Sequence, residues 1–351
     1  MTATTGATRM AAEIREQPAA LRRTLDALLP VEPAVARLAA RTRQVLFIAR
    51  GSSDAAALYG RYLCEVGAGR LATPASPSVA TRYRRRLDLD GVLAVALSQS
   101  GRTEEIVETL AWAADCGAAT VAITNDGGSP LAAAAELALA TEAGPEHAVP
   151  ATKSYTTQLA ALVVLALGLG ADPALRDAVQ AVPDAVAAAL DAPVNALVAA
   201  LSDVDGLMVS GRGFAASTAW ELSLKVRETC SIDASGLSYA DLLHGPIAVA
   251  GPRTPALLVA AADGPVLAGV VALADRLGRA GVPVHAIGGG ARLAAAVDVA
   301  LPGPELPEQL APLALVVPGQ LAVEALARRL GLDPDAPGGL AKVTQTDERP
   351  A

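Results

Sequence analysis

Val92-Leu-Ala-Val-Ala-Leu97 is followed by Ser98-Gln-Ser-Gly-Arg-Thr103 and then by segment 104–116, where apolar residues recur at helical spacing. An unbroken apolar run of this length is typical of a strand buried on both faces of a parallel sheet. The polar loop ends at a helix N-terminus, where hydroxyls, backbone N–H groups and the helix dipole converge. The alternative is a hydrophilic turn in which Thr103 only caps the helix. The segment predicts an α/β fold with an anion site at the sheet edge.

The same order of strand, turn and helix recurs along the chain. Further strands are predicted at 45–50, 119–124, 206–210, 256–261 and 282–287. Each is followed by a glycine-containing turn and a helical segment, which implies right-handed βαβ units and mostly parallel sheets. Similar segments at 129–139 and 291–301 indicate an internal duplication with a repeat of about 160 residues.

The two halves differ in the polarity of their turns. Gly51, Ser52 and Ser53 follow the strand that precedes 92–97, so two hydroxyl-bearing turns are expected to open at one sheet edge. The turn at 262–264 in the second half contains no hydroxyl. The sequence therefore predicts one phosphate site per chain, in the N-terminal half.

Glu221, Lys225 and Glu228 are spaced so that they lie on one face of a predicted helix over 215–229. The alternative is a solvent-exposed Glu–Lys pair, which is common on helix surfaces. Trp220 and its apolar neighbours favour a largely buried helix instead. A buried charged face requires partners or a functional role.

His244 lies in the loop behind this helix, before Gly245-Pro246, which predicts a rigid turn. A lysine, a carboxylate and an imidazole are the groups that proton transfer at a carbonyl most often uses. Near the C-terminus, Lys342 follows the Gly- and Pro-rich stretch 333–339. This pattern favours an ordered tail that docks on the protein, and the alternative is a disordered tail.

Composition limits the class of protein. The chain has 351 residues, 52% of them hydrophobic, which is enough for one large or two medium globular domains. A net charge of −8 argues against general binding to nucleic acid or anionic membranes. The longest apolar run, 159–171, is about 13 residues, whereas a spanning helix needs about 20.

The three cysteines, Cys64, Cys116 and Cys230, are too widely spaced for a disulfide framework or a metal motif. They are interpreted as buried thiols in a reducing compartment. The first ten residues do not resemble a signal peptide. We therefore expect a cytoplasmic protein without metal or cofactor.

Taken together, the motifs resemble those of the SIS (sugar isomerase) proteins, in particular the isomerase half of glucosamine-6-phosphate synthase and the stand-alone SIS-type glucosamine-6-phosphate deaminases. The resemblance runs from Met10 to Thr346. It rests on segments 13–18, 51–53, 98–101, 151–154, 211–213, 224–228, 244–246, 331–335 and 340–344.

The resemblance implies two tandem SIS domains, each a mostly parallel sheet flanked by helices in an αβα sandwich, with a C-terminal tail over the active site. It places an N-terminal arm and helix at 1–28, the first domain at 29–180, the second at 181–335 and the tail at 336–351.

The resemblance also implies roles for particular residues, which divide into two groups. The phosphate and substrate are bound by Ser53, Ser98, Gln99, Ser100, Thr103, Val149 and Ala151, with Gly51, Ser52, Gly101 and Glu221 in support. The catalytic residues are Glu228, Lys225, His244 and Lys342.

Each implied catalytic residue has its own role. Glu228 moves a proton between C1 and C2 of the open-chain sugar, and Lys225 lies beside the reacting oxygen or nitrogen. His244 opens the ring and comes from the other subunit, so the resemblance implies a homodimer with shared active sites. Lys342 closes over the sugar and can form an imine with its carbonyl.

The reaction expected is conversion of glucosamine 6-phosphate to fructose 6-phosphate and ammonia. The first SIS-like helix begins near Met10, so no glutaminase domain is expected, and Arg102 and the Lys-Val-Thr ending resemble the deaminases. One alternative is a deglycase or aldose/ketose isomerase for another phosphorylated sugar derivative. The other is a sugar-phosphate-binding regulator without turnover. Departures from the family at Ser235, Asp241 and Gly338 bear on which sugar is used.

Overall fold

The computed structural model describes residues 7–345. Residues 1–6 and 346–351 lie outside the described residues, together with the parts of the predicted arm and tail that they contain. The strands are β1 (Gln44–Ile48), β2 (Ala72–Pro74), β3 (Val92–Leu97), β4 (Ala119–Thr124), β5 (Leu137–Ala140), β6 (Gly206–Gly211), β7 (Asp233–Ser238), β8 (Ala256–Ala260), β9 (Val284–Gly288) and β10 (Val299–Leu301).

Helices alternate with these strands. They are α1 (Arg9–Arg15), α2 (Gln17–Leu28), α3 (Glu32–Ala39), α4 (Ser52–Tyr62), α5 (Pro77–Thr81), α6 (Glu104–Asp115), α7 (Pro130–Ala133), α8 (Lys153–Gly168), α9 (Ala174–Ala178), α10 (Val182–Ala189), α11 (Asn195–Ala200), α12 (Ala215–Cys230), α13 (Tyr239–Leu243), α14 (Leu267–Arg279), α15 (Gly290–Ala294) and α16 (Pro312–Arg329). Within the described part of the chain, no helix has both the length and the apolar character needed to cross a membrane.

The chain divides into two compact units. The N-terminal unit comprises the described parts of Ala19–Glu146, Lys153–Gln180 and Ala341–Ala351. The C-terminal unit comprises the described parts of Met1–Pro18, His147–Thr152 and Ala181–Leu340.

The N-terminal unit is built on a five-stranded parallel sheet in the order β2-β1-β3-β4-β5. Every residue of β3 and β4 is buried, as their apolar sequences predict. Ala94 and Ala96 of β3 share a core with Ile106 and Leu110 of α6, on one face of the sheet. Successive side chains point to opposite faces, so β3 needs helices on both sides.

The C-terminal unit repeats this arrangement with a five-stranded parallel sheet in the order β10-β9-β8-β6-β7. Read from its other edge, this order is β7-β6-β8-β9-β10, which matches β2-β1-β3-β4-β5 of the N-terminal sheet strand for strand. Leu258 and Ala260 of β8 pack with Leu273 and Leu277 of α14. The repeated strand order agrees with the predicted duplication.

Several elements differ from the sequence predictions. Edge strands β2, β5, β7 and β10 were not predicted. The apolar runs of β5 and β10 are only four and three residues long, and polar residues, Gly or Pro interrupt β2 and β7. The region 172–204 contains three α-helices rather than one or two. Trp220, expected to help bury α12, is 41% exposed.

The largest omission is α16, a mostly buried helix with Pro318 in its interior. Its neighbour Gly319 packs against Leu222 of α12 so closely that a Cβ at position 319 would overlap the Leu222 methyl groups. The glycine lets the two helices approach, and this contact supports the charged helix from behind.

We expect Gly319→Ala to lower the free energy of unfolding by about 1–3 kcal/mol, because the added methyl overpacks a buried contact. Denaturant titration measures the change. Gly278→Ala is the matched control, since Gly278 is also helical but has no atom within 4 Å of a Cβ built there. The control should be neutral or stabilising by up to about 1 kcal/mol, and equal behaviour of the two variants would contradict the packing argument.

Candidate active site

The loop 98–103 connects β3 to α6 and is fixed by its neighbours. The Ser98 backbone N–H donates to the Ile123 carbonyl at 3.1 Å, and the Asn125 N–H donates to the Gln99 carbonyl at 3.1 Å. Gly101 has a φ of +62° and leaves no room for a Cβ beside the Ser129 side chain. The sequence therefore needs glycine here, and the loop is held in one shape before any ligand arrives.

Hydrogen-bond donors remain available on this loop. The Ser98 hydroxyl accepts from the Gly101 N–H and the Ser100 hydroxyl accepts from the Arg102 N–H, both at 3.2 Å, so each hydroxyl can still donate its own proton. Thr103 stands at the N-cap of α6, but its hydroxyl makes no capping hydrogen bond. This geometry favours an anion site over the plain capped turn.

A second turn follows β1, the strand that pairs with β3. Gly51 has a φ of +59° and precedes the first residues of α4. The hydroxyl of Ser53 is buried and accepts a hydrogen bond from the Gln158 side chain of α8 at 3.0 Å. Gln158 therefore orients the Ser53 hydroxyl as a donor. The sequence did not indicate Gln158, because its partner Ser53 lies far away along the chain.

The tail lysine is anchored within the N-terminal unit. Lys342 Nζ donates to Oε2 of Glu146 at 2.8 Å, and the same carboxylate accepts from the Ser154 N–H at 3.0 Å and the Ser154 hydroxyl at 2.6 Å. Burial of Glu146 would raise its pKa, but Lys342 and Ser154 outweigh burial and hold the pKa below its ordinary value. Glu146 is thus a buried anion that positions the ammonium group of Lys342.

In the C-terminal unit, α12 brings three charged residues together. Lys225 is 1% exposed, forms an ion pair with Glu228 and lies 3.7 Å from Glu221 Oε1. Glu221 is fully buried, whereas the Glu228 side chain is 24% exposed. The alternative of a solvent-exposed Glu–Lys pair on the helix surface is therefore wrong. Of the three, Glu228 is the group that a molecule from solvent can reach.

His244 ends α13 and its side chain is exposed. In the described chain, no hydrogen bond or ion pair joins its imidazole to Lys225 or Glu228. Two other predicted residues lie in the segment 147–152 of the C-terminal unit: the Val149 N–H donates to the Asp335 carbonyl at 2.9 Å, and Ala151 is partly exposed. Their predicted roles remain proposals.

Comparisons with known proteins agree with the fold and motifs. The family model for the SIS domain matches residues 39–168. The glutamine–fructose-6-phosphate aminotransferase (isomerizing) of Thermococcus kodakarensis is 34% identical over 344 residues, which cover 95% of this chain and 57% of that protein. A solved structure from Silicibacter pomeroyi DSS-3, described as a phosphosugar isomerase, has 35% identity and a TM-score of 0.86, covering 94% of this chain and 100% of the other.

These similarities define the class: the chain belongs to the SIS family. It spans 57% of the length of the Thermococcus relative. The fold is also that of glucosamine-6-phosphate deaminase from Thermotoga maritima, with a TM-score of 0.76, 22% identity, and coverage of 96% of this chain and 100% of that one.

We expect Lys225→Met to destabilise the protein by about 3 kcal/mol, because it removes the cation from a buried carboxylate. Thermal or denaturant unfolding measures the loss. Adding Glu221→Gln to the same chain should recover part of it, since the second change removes the buried charge. A double variant no more stable than Lys225→Met alone would contradict the proposed charge pairing.

Proposed function

We propose that the protein is a sugar-phosphate isomerase that converts glucosamine 6-phosphate and water to fructose 6-phosphate and ammonia. The observation that carries the proposal is Glu228, a solvent-accessible carboxylate paired with a buried lysine in a chain that also presents a phosphate-type loop. Membership in the SIS family supports the same reaction class.

The loop 98–103 binds the phosphate in this proposal. Hydroxyls of Ser98, Ser100 and Thr103 donate to phosphate oxygens, together with backbone N–H groups and the dipole of α6. Ser53 adds a further hydroxyl, oriented by Gln158. Since the protein carries a net charge of −8, this local cluster of donors is needed to hold a dianion.

Glu228 is the proposed base. It takes the proton from C2 of the open-chain amino sugar and returns it to C1, which gives an enolamine and then an imine at C2. Water adds to the imine carbon and ammonia leaves, so the products are fructose 6-phosphate and ammonia. One carboxylate serves both transfers because C1 and C2 are adjacent.

Lys225 and Glu221 support this base. The Lys225 ammonium holds the Glu228 carboxylate in place and stabilises negative charge that develops on the neighbouring oxygen or nitrogen of the sugar. Glu221 balances the charge of Lys225 inside the protein. His244 is proposed to open the sugar ring from the neighbouring subunit of a homodimer.

Lys342 is proposed to close over the sugar carbonyl. In the described structure its ammonium group is bound to Glu146. An imine with the sugar requires the neutral amine, so Lys342 must pass a proton on before it can act as a nucleophile.

In the reverse direction the reaction would consume ammonia, and we propose that this chain takes free ammonia and does not obtain it from glutamine. Glutamine hydrolysis in the synthase uses a cysteine nucleophile, as the family resemblance implies. Cys64, Cys116 and Cys230 are all buried, and burial raises the pKa of Cys64 and Cys230 to about 12. Thiols in such surroundings are poor nucleophiles.

The domain organisation is part of the proposal. Each five-stranded sheet is taken as the centre of one SIS domain, with boundaries at 29–180 and 181–335. The shared strand order supports this division. The family model matches only 39–168, so the second domain rests on topology.

The proposed reaction is tested by incubating the purified chain with glucosamine 6-phosphate and measuring ammonia and fructose 6-phosphate, which should appear in equal amounts. Fructosamine 6-phosphate and other phosphorylated sugars serve as competing substrates. Turnover of one of these alone would favour the deglycase or isomerase alternative. Tight binding without turnover of any of them would favour a regulator.

We expect Glu228→Gln to abolish turnover and to change the Kd for fructose 6-phosphate by less than about threefold, because the phosphate contacts are untouched. Calorimetric titration measures the Kd and the coupled assay measures turnover. Glu108→Gln, a change on the exposed side of α6, is the control. A Glu228→Gln protein with wild-type turnover would contradict the assignment of the base.

A shared site is tested with two inactive variants, Glu228→Gln and His244→Ala. The two variants are coexpressed with different tags, and the mixed dimer is purified through both tags. One of its two active sites should be intact, so its rate should be about half of the wild-type rate. If both residues act within one chain, the mixed dimer has no activity. That result would contradict the role of His244 across subunits.

A further inference from the structure

The first turn of α6 is capped by the C-terminal tail. The Glu104 N–H donates to Oε1 of Gln345 at 3.0 Å, and Nε2 of Gln345 donates to the Arg102 carbonyl at 3.2 Å. One side-chain amide therefore bonds to both backbone groups that flank Thr103. This is a specific two-point contact between the tail and the phosphate-type loop.

The usual cap of this helix is not used. Thr103 occupies the N-cap position with an extended backbone, yet its hydroxyl makes no capping hydrogen bond. Threonine at an N-cap normally accepts from the second or third helical N–H. Gln345 accepts from the first N–H of the helix instead, so the backbone beside Thr103 is held from outside while the Thr103 hydroxyl makes no capping bond.

We propose that Gln345 is a positioning residue: by bonding to the backbone on both sides of Thr103, it holds the Thr103 hydroxyl in place for the phosphate group of the substrate. The inference rests on the proposed function, since it assumes that loop 98–103 binds phosphate. It deepens that function by assigning the tail a part in forming the phosphate site.

The same contact links phosphate binding to the tail lysine. Lys342 precedes Gln345 by three residues and is bound to Glu146, so the tail is attached to the N-terminal unit at two points. Because coupling between two binding events is reciprocal, docking of the tail strengthens phosphate binding, and bound phosphate in turn stabilises the docked tail. A sugar phosphate thereby favours the position of Lys342.

Removal of Gln345 releases the backbone around Thr103. In Gln345→Ala, the Arg102 carbonyl and the Glu104 N–H lose the amide that bonds to both of them. The Thr103 hydroxyl is then less well positioned to donate to phosphate. From the usual strength of two hydrogen bonds to the backbone, we expect phosphate binding to weaken about threefold to tenfold.

The experiment is a double-mutant cycle on the full chain, with inorganic phosphate and fructose 6-phosphate as probes. Kd values are measured for wild type, Gln345→Ala, Thr103→Ala and the double variant. Each single change should weaken binding, and the double variant should bind no more weakly than Thr103→Ala. Thr344→Ala is the control, because among residues 7–345 its hydroxyl bonds to the Ala341 carbonyl within the tail itself.

An unchanged Kd for Gln345→Ala would overturn the inference. So would additive effects in the double variant, because Gln345 would then act independently of Thr103.

Hydrogen exchange of the Glu104 amide tests the cap without any ligand. Exchange should be faster in Gln345→Ala than in wild type and unchanged in Thr344→Ala. Equal exchange in wild type and Gln345→Ala would overturn the inference, even if phosphate binds. Faster exchange in a protein that binds neither probe would instead overturn the proposed phosphate site, and the inference with it.

Discussion

The charged face of α12 depends on one buried cation. Lys225 is nearly inaccessible to solvent and pairs with Glu221 inside the protein and Glu228 at its surface. Removing such a charge from water is costly unless compensating charges surround it. The two carboxylates provide this compensation, and only Glu228 keeps access to solvent. The requirement to neutralise Lys225 therefore also fixes the position of the group proposed to move the proton.

A second buried charge organises the N-terminal unit. Glu146 receives hydrogen bonds from the backbone and hydroxyl of Ser154 and an ion pair from Lys342. The tail continues to Gln345, which reaches the start of α6. A short segment thus connects a buried anion to the loop proposed to bind phosphate.

Local patterns in the sequence were sufficient to predict the positions of the central strands, the loop 98–103 and the charged face of α12. Each rests on a short-range regularity, either an apolar run, a polar turn before a helix or helical spacing. The edge strand β7 was missed because it lacks an apolar run, and the helix α16 was missed because it contains Pro318. Glu146, Gln158 and Gln345 were missed for another reason: their partners are distant in sequence, so no local pattern marks them.

The central claim is that Glu228 moves a proton at the carbon next to the sugar carbonyl while the phosphate is held elsewhere. Incubation of fructose 6-phosphate with the protein in deuterium oxide, followed by NMR, tests it most directly. Wild type should replace one C1 hydrogen with deuterium, and Glu228→Gln should bind the sugar phosphate without exchange. Binding of fructose 6-phosphate by wild type without exchange, or wild-type exchange in Glu228→Gln, would contradict the account.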